Sequence, residues 1–160
     1  MRFLVLSVAL VFSVPASGQS VSRVTFTTLD GDELALESVA RKGPTLLTFW
    51  ALWCSPCKQE LKALQTLYGK YSSKGFTVVA INQDTPRSLA KVRSYAAAQS
   101  YTFPVVLDPN GQLLQQFNGQ AIPYSVFIDS LGAVVHTSVG YLPGDEAKIE
   151  EQLLSMLAGR

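Results

Sequence analysis

Cys54 and Cys57 are the only cysteines in a chain of 160 residues, and they stand two residues apart in the stretch FWALWCSPCK. Thiols at this spacing can serve as a cross-link, as part of a metal site, or as a reversible dithiol–disulfide couple. A cross-link stabilises mostly by shortening the unfolded chain, and the gain shrinks with the loop it closes. Bridging Cys54 to Cys57 closes a very small ring, so stapling explains it poorly. Structural zinc takes about four ligands, yet His136 is the only histidine and there is no second cysteine pair. No metal is expected. A redox-active couple is the reading the spacing supports.

The couple needs one thiol poised as a thiolate. The run Thr45–Ala51 (TLLTFWA) is nearly continuous in apolar residues and β-formers, as in a central strand covered on both faces. After the cysteines, Leu61, Leu64, Leu67 and Tyr71 recur at helical spacing, and Lys74-Gly75 closes that helix. Cys54 therefore falls where a buried strand ends and a helix begins. Unsatisfied N–H groups and a partial positive charge at a helix N-terminus favour a thiolate and lower the thiol pKa. Pro56 occupies the first turn, where a missing N–H costs nothing. Cys54 is expected to be the exposed nucleophile and Cys57, one turn inside, the more buried resolving thiol. Attack by Cys54 on a partner disulfide gives a mixed disulfide; Cys57 then displaces the reduced partner. Ser55 and Pro56, lying between the sulfurs, are expected to tune the potential. No basic residue stands between them, which favours a reducing couple over a strong oxidant.

The remaining elements follow the same kind of reading. Val24–Leu29 and the short apolar segment Leu34–Val39 flank the turn signal Asp30-Gly31-Asp32. Phe76–Asn82 reads as a second buried strand, Pro86–Gln99 as a helix, and Phe103–Leu107 as a short apolar segment. Gly111–Phe117 fits one or two helical turns. Tyr124–Asp129 and Ala133–Val139 form a strand hairpin about Ser130-Leu131-Gly132, and a helix over 144–157 ends the chain with Ile149, Leu153 and Leu157 on its buried face. Strand–helix–strand–helix followed by a hairpin and a last helix predicts an α/β fold, with a mixed central sheet flanked by helices on both faces. Right-handed crossovers make the first two main strands parallel.

The N-terminus sets the compartment. Arg2 precedes an apolar stretch over 3–14, then Pro15 and the small residues Ala16, Ser17 and Gly18. This is the layout of a secretory signal over residues 1–18. Its apolar part, about 12 residues, is shorter than the roughly 20 a bilayer span requires. One domain over 19–160 is expected, exported to a place where disulfides persist. The net charge of +1 gives no basic field for nucleic acid.

The stretch FWALWCSPCKQEL resembles the thioredoxin-fold, TlpA/ResA-like thiol–disulfide oxidoreductases of bacterial envelopes. DGDELALESVARKGPTLLTFWALWCSPC is similar to that family's N-terminal hairpin and active-site strand, and YSSKGFTVVAINQD and FPVVLDPNGQLLQQFNGQAIPYSVFIDSLGAVV to its later landmarks. The resemblance implies a thioredoxin fold with an added N-terminal β-hairpin and a central helical insertion around 86–99. Cys54 and Cys57 match its redox pair, Trp53 the tryptophan flanking it, and Pro123 the cis-proline beside the disulfide. Ile122 then offers its backbone to a bound substrate strand, a β-augmentation contact. The resemblance further implies protein substrates, a membrane electron carrier donating through its own thiols, a periplasmic location, a monomer, and a reducing role such as cytochrome c maturation. No bound cofactor beyond the redox disulfide is expected, since no flavin, haem or nicotinamide motif is present.

The chain departs from the pattern in places. Thr48 occupies the position where thioredoxin carries a buried acid, so the proton of Cys57 needs another group or water. Asp84 lies near where some relatives place an acid close to the cysteines. Tyr124 follows Pro123 where threonine is usual. Glu60 reads as a solvated helix-face charge in preference to a group near the sulfurs, and Lys58 likewise as solvated. Trp50 reads as core, Trp53 as a surface platform and His136 as exposed. Two other functions stay open. A thiol peroxidase wants its cysteine at the end of a Pro-x-x-x-Thr-x-x-Cys stretch, which the TFWALW before Cys54 does not match. A non-enzymatic thioredoxin-like binding module would not need the intact pair.

Overall fold

The computed structural model describes residues 24–159; the expected signal segment lies outside them. Two short antiparallel strands, β1 (Thr25–Thr27) and β2 (Glu33–Ala35), form the N-terminal hairpin, and the single turn α1 (Leu36–Ala40) follows. Strand β3 (Thr45–Trp50) leads through the cysteines into α2 (Ser55–Tyr71), and β4 (Thr77–Asn82) returns parallel to β3. A 3-10 turn at Pro86–Ser88 and helix α3 (Leu89–Ala98) make the insertion before β5 (Val105–Leu107). The chain closes with α4 (Gln112–Gln116), β6 (Tyr124–Ile128), β7 (Val134–Val139) and α5 (Glu146–Ala158). The main sheet has the order β5-β4-β3-β6-β7, with β3, β4 and β5 parallel and β6 and β7 antiparallel. Among the described residues no helix is long and apolar enough to cross a membrane.

Alternation along the strands explains the two layers. Leu46 and Trp50 of β3, Val78 and Ala80 of β4 and Phe127 of β6 join the core formed with α2, α3 and α5. Leu47 and Phe49, Val79 and Ile81, and Val126 and Ile128 join the opposite core with Phe26, Leu36 and Val39 of the hairpin and α1. Helices α2 and α3 share one face because both crossovers step the same way across the sheet with the same hand. Each fully buried Leu, Val or Phe here contributes about 1.5–3 kcal/mol. Arg93 of α3 donates to the Leu29 carbonyl, and Leu29 N–H donates to the Val105 carbonyl at 2.8 Å. Hairpin and insertion are thereby tied together at the β5 edge.

The loop entering β6 is held from inside. Tyr124, the residue in place of threonine, is buried and donates its hydroxyl to the Phe117 carbonyl at 2.9 Å. Gly119 lies under that ring: a Cβ built there would stand 2.6 Å from Tyr124 Cδ1 and closer still to Leu114 Cδ1. Replacing Gly119 by alanine is expected to cost about 1–3 kcal/mol of stability, read as a lowered denaturant midpoint at unchanged m-value.

Candidate active site

Helix α2 begins at the cysteines. Cys54 is its N-cap, with φ −89° and ψ 99°, and Ser55 and Pro56 form the first turn. Cys54 N–H donates to the Ala51 carbonyl at 3.0 Å, which fixes the tight loop from β3 into the helix. Cys54 and Cys57 are joined in a disulfide, with their Cα atoms 5.3 Å apart. Cys57 N–H points at Cys54 Sγ at 3.3 Å. An oxygen at an N-cap accepts a free backbone N–H of the first turn; here sulfur takes that place. A thiolate on Cys54 would receive the same N–H and the helix dipole. Cys57 is fully enclosed, and Cys54, expected to be exposed, is buried as well, retaining 4% exposure because the tight loop from β3 and the disulfide fold it against the helix end. Trp53, beside it, is 73% exposed, whereas Trp50 is fully buried core and His136 is exposed. Lys58 is not freely solvated: its Nζ lies 5.5 Å from the centre of the Tyr95 ring on α3.

The peptide bond between Ile122 and Pro123 is cis. Pro123 immediately precedes β6, whose Tyr124 pairs with Phe49 near the end of β3 that leads to the cysteines. Gly140 N–H donates to the Pro123 carbonyl at 2.8 Å, fastening the end of β7 to this loop. The exposed apolar side chains Val139 and Leu142 flank Gly140. Sequence reasoning did not single these two out. Their only signal was a valine and a leucine bracketing Gly140-Tyr141 at the end of a strand.

Glu60 corrects the expected helix-face charge: it is 2% exposed. Cys57, Glu60, Leu61, Leu64 and Leu67 lie on one buried stripe of α2, because residues three and four apart share a helix face. The carboxylate accepts from Thr48 Oγ1 and from Ser125 Oγ, each at 2.7 Å. Thr48 and Ser125 are directly opposite each other on β3 and β6. Burial holds the Glu60 carboxyl above the ordinary carboxylate range, and the two hydroxyl donors offset part of that rise. The acid missing from position 48 is thus supplied from α2, one turn beyond Cys57, with Thr48 as its donor.

Asp84 holds backbone. Its Oδ2 accepts from Leu52 N–H at 2.7 Å and from the Asn82 amide at 2.8 Å. Gln83 N–H donates to the Trp50 carbonyl at 2.8 Å. Together these fix the loop that presents Cys54. Replacing Asp84 by alanine leaves the Leu52 N–H unsatisfied, with an expected cost of about 1–3 kcal/mol. Denaturant unfolding reads the loss.

A thioredoxin-type sheet carrying a disulfide at the start of its first long helix defines a thiol–disulfide exchange protein. Residues 17–137 match the model of the AhpC/TSA family, and the chain belongs to that family. It is 30% identical to sporulation thiol-disulfide oxidoreductase A of Bacillus subtilis over 76% of this chain and 73% of that protein. It is 31% identical to the thiol-disulfide oxidoreductase ResA of Geobacillus kaustophilus over 88% of this chain and 78% of the relative. Among solved structures, a Chlorobium tepidum protein described as a thiol:disulfide interchange protein DsbE superposes with a TM-score of 0.79 at 31% identity, over 88% of this chain and 96% of that one. The protein is a thiol–disulfide oxidoreductase of this type, acting on protein thiols or disulfides, with its cysteine pair at positions 54 and 57.

Proposed function

We propose that this protein is an exported, periplasmic reductase of partner disulfides, with cytochrome c maturation or a similar envelope thiol reduction as its setting. The observation that carries the reading is the Cys54–Cys57 disulfide at the N-terminus of α2 with the buried, hydroxyl-held Glu60 one turn behind it. Export rests on the sequence of residues 1–18. Reduction, as opposed to oxidation, rests on the uncharged Ser55-Pro56 between the sulfurs.

Cys54 as thiolate attacks a partner disulfide, and the first partner sulfur leaves as a thiolate that takes a proton from water. The Cys57 thiol passes its proton to the Glu60 carboxylate and attacks the Cys54 sulfur. The Cys54–partner bond breaks, and the second partner sulfur leaves as a thiolate that is protonated in turn. Two electrons have moved from the enzyme dithiol to the partner disulfide. Trp53, Val139 and Leu142 give the partner an apolar rim, and Ile122 and Pro123 hold its backbone beside Cys54. Ser55 and Pro56 set the dipoles around that sulfur. A membrane thiol carrier returns the electrons; no bound cofactor is needed.

Dithiothreitol-driven reduction of insulin tests the activity, with peroxide consumption measured in parallel. The reading requires rapid insulin reduction and no peroxide consumption above a cysteine-free control. Peroxide turnover without insulin reduction would replace it with a peroxidase.

A further inference from the structure

On the face of the sheet that packs on α2 and α5, one row of residues is polar across three neighbouring strands. Thr48 on β3 is opposite Ser125 on β6, and Ser125 is opposite Ser138 on β7, so three hydroxyls stand in register from the sheet centre to its open edge. The first two bind Glu60. The third lies in a cleft of about 220 Å³ between β7 and α5, whose wall also includes Glu60 itself, His136, Tyr141, Lys148 and Gln152. A carboxylate that is 2% exposed thus forms part of a cleft that borders the rim at Val139 and Gly140 and is also lined by His136, Lys148 and Gln152, outside that rim.

We propose that this cleft is the proton port of Glu60, through which the acid exchanges its proton with water while a partner covers the Cys54 face. The inference rests on the reading that Glu60 takes the Cys57 proton. During resolution the partner is covalently bound at Cys54 and sits over the rim, and Cys57 is fully enclosed. While the partner stays over that rim, the neutral Glu60 carboxylic acid can return its proton to water only by another way. The step moves one proton from Glu60 to water and changes no covalent bond to sulfur.

The charged and titratable groups around the route come from each surrounding element. His136 on β7 stands at the mouth, exposed, with its ring 6.0 Å from that of Phe127. Lys148 on α5 is bound to Asp145 at 2.7 Å. Tyr141, between β7 and α5, donates to Glu146 at 2.6 Å; burial and that bond raise the Tyr141 pKa, and the Glu60 charge adds to the rise. Ser138 lines the cleft beside Ser125, its register partner, whose hydroxyl donates to Glu60.

The test follows Glu60's carboxylic C=O band by infrared spectroscopy after transfer from H2O to D2O, under acid conditions where the group is protonated, with Glu60→Gln identifying the band. Two variants fill the cleft from opposite walls, Ser138→Phe and Gln152→Phe; Thr137→Phe places the same bulk on the other face of β7. A Cys57→Ser protein carrying a peptide disulfide-linked to Cys54 covers the front. The port requires exchange at least tenfold slower in whichever cleft-filling variants fold, and within twofold of the parent in Thr137→Phe and in the capped protein. Unchanged exchange in a folded cleft-filling variant, or exchange slowed by the front cap, overturns it. Resolution of a Cys54 mixed disulfide is measured alongside. Unaffected resolution in Glu60→Gln would instead remove the proton-acceptor reading on which the port rests.

Discussion

Replacing Cys54 by serine will reduce insulin reduction to the uncatalysed background, a loss on the order of a thousandfold or more, the scale on which removing a catalytic nucleophile acts. Serine keeps the N-cap, since its hydroxyl can accept the Cys57 N–H that the sulfur now receives. The fold should therefore survive with little change in its unfolding midpoint. Cys57→Ser behaves differently. The first attack still occurs, but nothing breaks the adduct, so one equivalent of partner accumulates in disulfide linkage to Cys54. The asymmetry follows from position: Cys54 caps the helix beside the exposed Trp53, whereas Cys57 is enclosed one turn inside. Non-reducing electrophoresis of the two variants after incubation with a disulfide peptide separates the roles. Adducts at both positions, or at neither, would deny them.

Glu60→Gln is expected to slow resolution of the mixed disulfide by about a hundredfold, within the range for loss of a positioned general base, while changing alkylation of Cys54 far less. Glutamine preserves the shape and can still pair with the Thr48 and Ser125 hydroxyls, so packing is kept. In the parent protein the resolution rate climbs as Glu60 ionises; in the variant that rise disappears and only the titration of Cys57 remains. The same residue makes a stability prediction. Burial raises the folded carboxyl above its unfolded value. Below the unfolded value both states are protonated and the associated stability is fully present. As pH rises through the folded value the buried site must take up charge, and that stability is lost. Urea midpoints measured from about pH 4 to about pH 8 should fall more steeply for the parent than for Glu60→Gln.

Much of this architecture was legible because local patterns agreed with the global fold. Thr45–Ala51 read as a doubly covered strand and Phe76–Asn82 as a buried one, since nearly every residue of β3 and β4 is buried between the two cores. The capping position of Cys54 followed from a buried run meeting a helical repeat. The polar half of the site was harder to see. Glu60 looked like a surface charge because glutamate is seldom buried unpaired, and its partners Thr48 and Ser125 lie 12 and 65 residues away in sequence. Position 60 falls with Cys57 and Leu61 on the inner stripe, and only tertiary pairing makes it tolerable for a carboxylate. Asp84 was marked as an acid near the sulfurs, yet its contacts are to Leu52 and Asn82, a distinction that depends on loop geometry. The last strand read as an ordinary hairpin partner. It is an edge with Val134, Val135 and Val139 exposed, and nothing in an apolar strand pattern tells an edge from an interior.

The most direct measurement is the pH dependence of Cys54 alkylation in the reduced protein, followed by redox titration of the pair. A helix-capping thiolate with an enclosed resolving neighbour predicts a midpoint below the free-thiol value of about 8.5 and full, reversible conversion between dithiol and disulfide. A Cys54 that alkylates like an unstructured peptide thiol, in a pair that does not cycle, would contradict it.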